Sequence, residues 1–206
     1  VMVVAGTMND LVRSLGVSVA AGGQLITIGA LVMGIGAPLM AAWVAGTDRR
    51  RLLTFWLAWF ALGHAASALM PGYAPLAIVR GISLLGAAVF TPQAAAAIGV
   101  MAPPAERGRA ITFVFLGWSL SSVIGMPLHA WLGETFGWRW AFTAVAALSA
   151  AAAVAVWRAM PDGVKPAPLS LAQWRQVLGH PVLMAIVAVT ALSGSGQFTL
   201  FAYMAP

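Results

Sequence analysis

Cysteine is absent from the 206 residues, which excludes disulfides, thiolate metal sites and a cysteine nucleophile and says little about compartment. Charge is nearly as scarce. Asp, Glu, Lys and Arg together make up 8 % of the chain, against about 25 % in an average soluble domain, so a water-facing surface could not be covered from this stock. Most of the exterior must therefore face lipid. Catalytic signatures are also wanting. There is no His-Glu pair at metal spacing, no Gly-x-Ser-x-Gly and no glycine-rich phosphate loop followed by Lys-Ser or Lys-Thr. Neither an enzyme nor an ATP-driven pump is expected. No cleavable signal-peptide pattern opens the chain, and a first residue of Val rather than Met reads as a missing N-terminus.

What is present is apolar: 61 % of the residues are hydrophobic. They fall into runs at 22 to 45, 52 to 70, 74 to 101, 110 to 133, 138 to 157 and 181 to 204. Each reaches or approaches the roughly 20 residues that a helix needs to cross hydrocarbon. Residues 1 to 12 are too short to span and read as the outer half of a helix, with residues 13 to 23 as a loop leading into the next. Pro71-Gly72-Tyr73, Pro103 to Arg109 and Gly133 to Trp138 punctuate the runs. Between 158 and 180 lie Pro161, Pro166 and Pro168, then a decamer, Leu169 to Leu178, patterned as a short interfacial helix.

The net charge of +6 does not point to nucleic acid, because the basic residues sit in short turns rather than along one exposed stripe. Eight of the eleven occupy alternate connections: Arg49, Arg50 and Arg51, then Arg107 and Arg109, then Arg158, Lys165 and Arg175. Only Arg13 and Arg139 fall on the other side, so the segments 46–51, 102–109 and 158–180 are expected in the cytoplasm. Trp43, Trp56, Trp157 and Trp174 then mark the inner boundary and Trp131, Trp138 and Trp140 the outer, with Trp118 expected to pack within its helix.

An internal repeat follows. Ile35-Gly36-Ala37-Pro38-Leu39-Met40-Ala41 matches Ile124-Gly125-Met126-Pro127-Leu128-His129-Ala130, on helices of opposite sense. That is the pattern of a three-plus-three inverted repeat, with Gly-Pro breaks in pliable helices.

The Asp48-Arg49-Arg50-Arg51 turn, Arg80-Gly81 with Gly86, Gly117 with Gly125-Met126-Pro127, and Gly137-Trp138-Arg139-Trp140-Ala141-Phe142 occur in this order along the chain. Together they resemble the N-terminal half of a major facilitator superfamily transporter, most closely the bacterial proton-driven drug and sugar efflux branch. The resemblance implies an all-α membrane fold: a six-helix half-bundle over 1–160, a central loop over 161–180, and over 181–206 a seventh helix belonging to a missing C-terminal half. It implies secondary active efflux of small molecules by alternating access in a bacterial inner membrane, with protons as partner and no cofactor. Asp48 to Arg51 would be its gating loop, and Gly36, Pro38, Gly125 and Pro127 its pliable positions.

This sequence departs from the family's pattern in places. Val44 and Arg51 stand where the turn usually carries glycines, an extra residue separates Gly125 from Pro127, and His129 occupies a common glycine position. Asn9 and Asp10 replace small residues or proline near the end of helix one.

Polar residues inside the spans are the cavity or proton-coupling candidates: Asn9, Asp10, Arg80 and Gln93, with Thr190, Ser193 and Gln197 forming one stripe on the last helix. Asp10 and Arg80 lie at similar depth, so an ion pair between them is expected. His64 and His129, each without a second ligand nearby, are expected to be packed and hydrogen-bonded rather than metal-binding. The competing reading is a small helical channel or scaffold that self-associates.

Overall fold

In the computed structural model, which describes residues 2–166 and 171–203, the apolar runs form helices, and no strand occurs among the described residues. A helix satisfies its backbone polar groups internally, which hydrocarbon demands. The first segment is two short helices, α1 (Met2–Gly6) and α2 (Met8–Leu15), meeting at Thr7, whose hydroxyl bonds the Val3 carbonyl at 2.8 Å. The expected loop at 13 to 23 shrinks to three residues. Helix α2 runs on to Leu15 and stops at Gly16, whose φ of +63° suits glycine. Ser18 caps α3 (Val19–Trp43) by accepting from the Ala21 N–H at 3.2 Å. Gly22 lies inside α3 because a side chain there would strike Met8 and Val12 of α2.

Helices α4 (Arg49–Ala68), α5 (Tyr73–Met101), α6 (Arg107–Leu120), α7 (Met126–Phe136), α8 (Trp138–Ala159), α9 (Leu171–Leu178) and α10 (Pro181–Tyr203) follow, and their ends agree with the expected spans to about a turn. Helix α3, α5, α8 and the rod formed by α6 and α7 are each long and apolar enough to cross a membrane. The other two expected spans stand apart. Helix α4 has the length, 20 residues, but begins with three arginines, and the described apolar part of α10 is the shorter Pro181–Gln197. Val1, Pro168, Leu169, Ser170 and Met204, all within expected elements, lie outside the described residues.

A single π turn, Ser121–Gly125, joins α6 to α7, with the Met126 N–H donating to the Ser121 carbonyl. A π turn accommodates one surplus residue in a helix. The extra position between Gly125 and Pro127 thus has a structural counterpart, whereas Pro38, in the other copy of the repeat, lies inside unbroken α3.

Helix α4 is the centre of the packing, held between α8 and α5, with α3 on the far side of α5. Glycine permits the close approach. A Cβ on Gly63 of α4 would collide with Ser83 of α5, and one on Gly86 of α5 would come within 2.9 Å of the Trp56 carbonyl. The Trp59 indole N–H crosses the same seam to the Ile82 carbonyl at 3.0 Å. The larger apolar core gathers Val3, Val4, Met8 and Leu11 with Leu25, Leu76, Trp138 and Phe142, near the end that carries Gly16 and Gly137. By contrast no residue of α6 is buried, and α10 lies at the periphery as expected, every described side chain but Gly194 exposed.

Two tryptophan expectations change. Trp56 and Trp138 are core residues rather than boundary markers, and Trp118, expected to pack, is 39 % exposed.

Gly63→Leu should lower stability by about 2 kcal/mol through overpacking of the α4–α5 seam. Gly99→Leu, at a helical glycine with open space around it, should not. Thermal unfolding of the two purified variants in detergent checks the contrast.

Candidate functional site

The charged turn 46–51 is built from two helix ends. An α-helix leaves its last carbonyls and first N–H groups without partners, and here adjacent residues of opposite charge serve both. Arg49, 3 % exposed, folds back over the end of α3: Nη1 donates to the Val44 and Thr47 carbonyls at 3.1 and 3.0 Å, and Nη2 to the Ala45 carbonyl at 3.4 Å. Asp48 is the N-cap of α4, its Oδ1 accepting from the Arg51 N–H at 3.2 Å.

The same turn grips the segment that leaves α8. Asp48 Oδ2 accepts from the Gly163 N–H at 2.7 Å, and the Arg49 N–H donates to the Val164 carbonyl at 2.9 Å. Gly163 turns at φ +82°, which suits glycine. Arg50 spans the remaining gap: Nε donates to the Trp157 carbonyl at 2.7 Å, Nη1 pairs with Asp162 at 2.6 Å, and the guanidinium lies 4.3 Å from the Trp157 ring centroid. The expected gating loop is therefore a clasp between α3, α4 and α8, closed by three of its four charged residues. The fourth, Arg51, contributes its backbone N–H and keeps an exposed side chain.

Burial raises the pKa of the Asp48 carboxyl, but hydrogen bonds from the Arg51, Gly163 and Arg50 N–H groups, with the Arg51 charge, outweigh it and hold the group below the usual carboxylate range. A depressed carboxylate stabilises above its unfolded pKa and loses that contribution as pH falls through its folded value.

The opposite end has a second clasp. Gly137, at φ +94°, supplies no cap for α8, and Asp10 of α2 does so instead, its Oδ2 accepting from the Trp138 N–H at 2.7 Å. Arg13, one turn on, pairs with Asp10 Oδ1 at 3.1 Å. Arg139 covers the Trp138 ring at 4.4 Å and donates to the Met70 carbonyl at 3.0 Å, while the Tyr73 hydroxyl donates to Gln24 at 2.9 Å.

The expected Asp10–Arg80 ion pair is thus not formed. The carboxylate is drawn to the positive end of α8 and to Arg13, and Arg80 lies 0 % exposed with Nε donating to the Leu25 carbonyl of α3 at 3.2 Å. Its guanidinium is 5.8 Å from the Phe142 ring centroid. Arg80 faces protein and does not reach outward to the interface.

Gln93 is buried in α5, Asn9 is exposed on α2, and Thr190, Ser193 and Gln197 are exposed on α10, where the Thr190 hydroxyl bonds its own helix at the Ile186 carbonyl, 2.8 Å away. The structure does not bring these together. Gly36 packs on Leu85 and Ala88 of α5, while Gly125 faces Ser121 and the His129 ring beside Pro127. His64 donates from Nδ1 to the Phe60 carbonyl at 3.0 Å and is enclosed by the Phe60 and Phe142 rings, whereas buried His129 makes no hydrogen bond at Nδ1. Among the described residues no group of His, Asp and Glu is placed to hold a metal ion. Asp162 and Gly163 escaped the sequence reading, although an Asp-Gly dipeptide after Pro161 is a turn signal that could have marked them.

The family model described as Major Facilitator Superfamily matches residues 1–206, and the chain belongs to that superfamily. It is 31 % identical over 201 residues to the inner membrane transport protein YdhP of Escherichia coli K12, a match covering 98 % of this chain and 52 % of that protein. It is 32 % identical to the chloramphenicol resistance protein of Streptomyces lividans, covering 98 % of this chain and 53 % of that one. The chain thus spans about half the length of these curated relatives. A crystal structure of a mutant peptide transporter POT superposes with a TM-score of 0.65 at 19 % identity, over 97 % of this chain and 43 % of that one, which shows the shared fold.

Arg50→Glu should open the inner clasp by opposing Asp162 and abandoning the Trp157 carbonyl, exposing the bond after Arg158 to trypsin in purified protein. Asp48→Ala should cost about 1 kcal/mol as a lost cap. In the wild type, hydrogen-exchange protection of the Gly163 N–H should persist from neutrality down to about pH 4 and weaken only below it.

Proposed function

We propose that this chain is the N-terminal half of a secondary active transporter that exports small molecules by alternating access, with protons as the driving ion. The observation that carries the reading is the family match through all 206 residues, with relatives named for chloramphenicol and sugar efflux. Residues 1–160 form the first half-bundle, 161–180 the central loop, and 181–206 the first helix of a second half. The clasped end, with its arginines, faces the cytoplasm, and the protein resides in an inner membrane, the location that a relative's name gives.

Geometry supports a half that moves as a unit. Helices α3, α4, α5 and α8 are packed together and tied at both ends, whereas α3 exposes a ladder, Leu31, Ile35, Leu39 and Trp43, and the α6–α7 rod exposes Phe113, Leu120 and Val123. Those faces suit the second half and the lipid. Asp48 to Arg51 keep their role as the gating loop, and Asn9, Gln93, Arg80, Thr190, Ser193 and Gln197 remain cavity candidates. Asp10, engaged as a cap, serves better as a structural pin than as a carrier of protons.

Inverted membrane vesicles holding the full-length protein should accumulate labelled chloramphenicol when an inward-acid pH gradient is imposed, and a protonophore should abolish the uptake. Uptake indifferent to the gradient would remove proton coupling, and transport abolished only by ATP depletion would remove the secondary-transport reading.

A further inference from the structure

Proton-driven transport needs a group that gains and loses a proton within the membrane, and this chain is poor in such groups. Its five carboxylates are all accounted for near the helix ends. Asp48 and Asp10 cap α4 and α8, Asp162 pairs with Arg50, Glu106 precedes α6, and Glu134 is exposed near the end of α7. Inside the spans three ionisable residues are left: His64, Arg80 and His129. Arginine keeps its proton under all ordinary conditions.

The two histidines differ in setting. His64 is 1 % exposed, its Nδ1–H is committed to Phe60, and its ring lies 4.1 Å from the Phe60 centroid and 5.7 Å from that of Phe142. A second proton there would enter an aromatic box. His129 is 8 % exposed, its Nδ1 is buried without a hydrogen bond, and it lies in α7 one turn beyond the π turn. On one side is the backbone of α1: a Cβ on Gly6 would come within 2.8 Å of the His129 Cβ and 3.0 Å of the Met126 carbonyl. On the other is the π turn, where a Cβ on Gly125 would lie 3.9 Å from His129 Cε1 and 3.2 Å from the Ser121 hydroxyl.

We propose that His129 is the residue of this half that takes up and releases the coupled proton, with the π turn and Pro127 as the hinge that its charge moves. The proposal rests on the proton-coupled reading above. Pro127 has no N–H to donate, so one carbonyl of the preceding turn lacks the donor that a regular helix would supply. A neutral imidazole can remain packed on Gly6. A charged one must find acceptors for both ring N–H groups, and the irregular backbone and the Ser121 hydroxyl offer them at the cost of shifting α7 against α1. Of the elements packed against α7, α1 and the π turn carry no ionisable side chain, those of α8 are Arg139 and Arg158 at its ends, and α2 brings Asp10 and Arg13, which are paired with each other.

Two measurements test this. The chain has three histidines, so imidazole NMR signals of labelled protein can be assigned by His64→Gln, His129→Gln and His180→Gln. The His129 signal should titrate between about pH 4 and pH 8 while that of His64 stays fixed. A His129 signal that does not move overturns the proposal, whatever the transport assay shows. In vesicles, His129→Gln should lose roughly tenfold or more of gradient-driven chloramphenicol accumulation while keeping exchange without a gradient within about twofold. His129→Glu, which restores a titratable group, should recover the drive with its pH dependence displaced. Wild-type coupling retained in His129→Gln overturns the proposal and leaves proton-driven transport standing. A wild type that ignores the gradient overturns both.

Discussion

The ends of helices are the costly places in a membrane fold, because each leaves several N–H or C=O groups without a partner where water thins out. This chain places several of its few charges there. Asp48 and Asp10 cover the N-termini of α4 and α8, Arg49 and Arg50 cover the C-termini of α3 and α8, and Arg107 donates to the Ala102 carbonyl at the end of α5 at 3.2 Å. Helix α8 is the clearest case. Asp10 of α2, 128 positions before Trp138, and Arg50 of α4, 107 positions before Trp157, hold its two termini, so the placing of α8 depends on partners distant in sequence.

This division of labour separates a firm part of the half-bundle from a yielding one. Helices α3, α4 and α5 share glycine-lined seams and α8 is tied to them by the terminal clasps, while α6, the π turn and α7 carry the backbone irregularity and much exposed surface.

Much of this was legible in the sequence. Runs of apolar residues bounded by Pro, Gly and Arg marked the helices, and two of the turns expected to share a side, 46–51 and 158–180, meet at Gly163 and Val164. The surplus residue before Pro127 was visible as a departure from the family's pattern, though a π turn could not be told from a kink without the hydrogen-bond path. Partners distant in sequence were not legible. Charge and depth favoured Asp10 with Arg80, but the N-terminus of α8 competes for the same carboxylate and reaches it first. Asp162 and Gly163 gain meaning only once α8 returns the chain to the Arg49–Arg51 turn. The loop expected at 13 to 23 shrank because α2 runs on to Leu15 and Gly22, read as part of the loop, is a packing residue against Met8.

The central claim is that the two clasps lie on opposite faces of the membrane, the arginine-rich one inside. The absence of cysteine makes a direct measurement simple. Single substitutions Thr47→Cys, Ala105→Cys and Lys165→Cys, and separately Ser14→Cys and Thr135→Cys, can be labelled in intact cells with an impermeant maleimide. The account predicts that Cys at 14 and 135 react from outside, and that Cys at 47, 105 and 165 react only after the membrane is opened. Labelling of both sets from the same side, or of position 47 but not 165 from the cytoplasm, would contradict it.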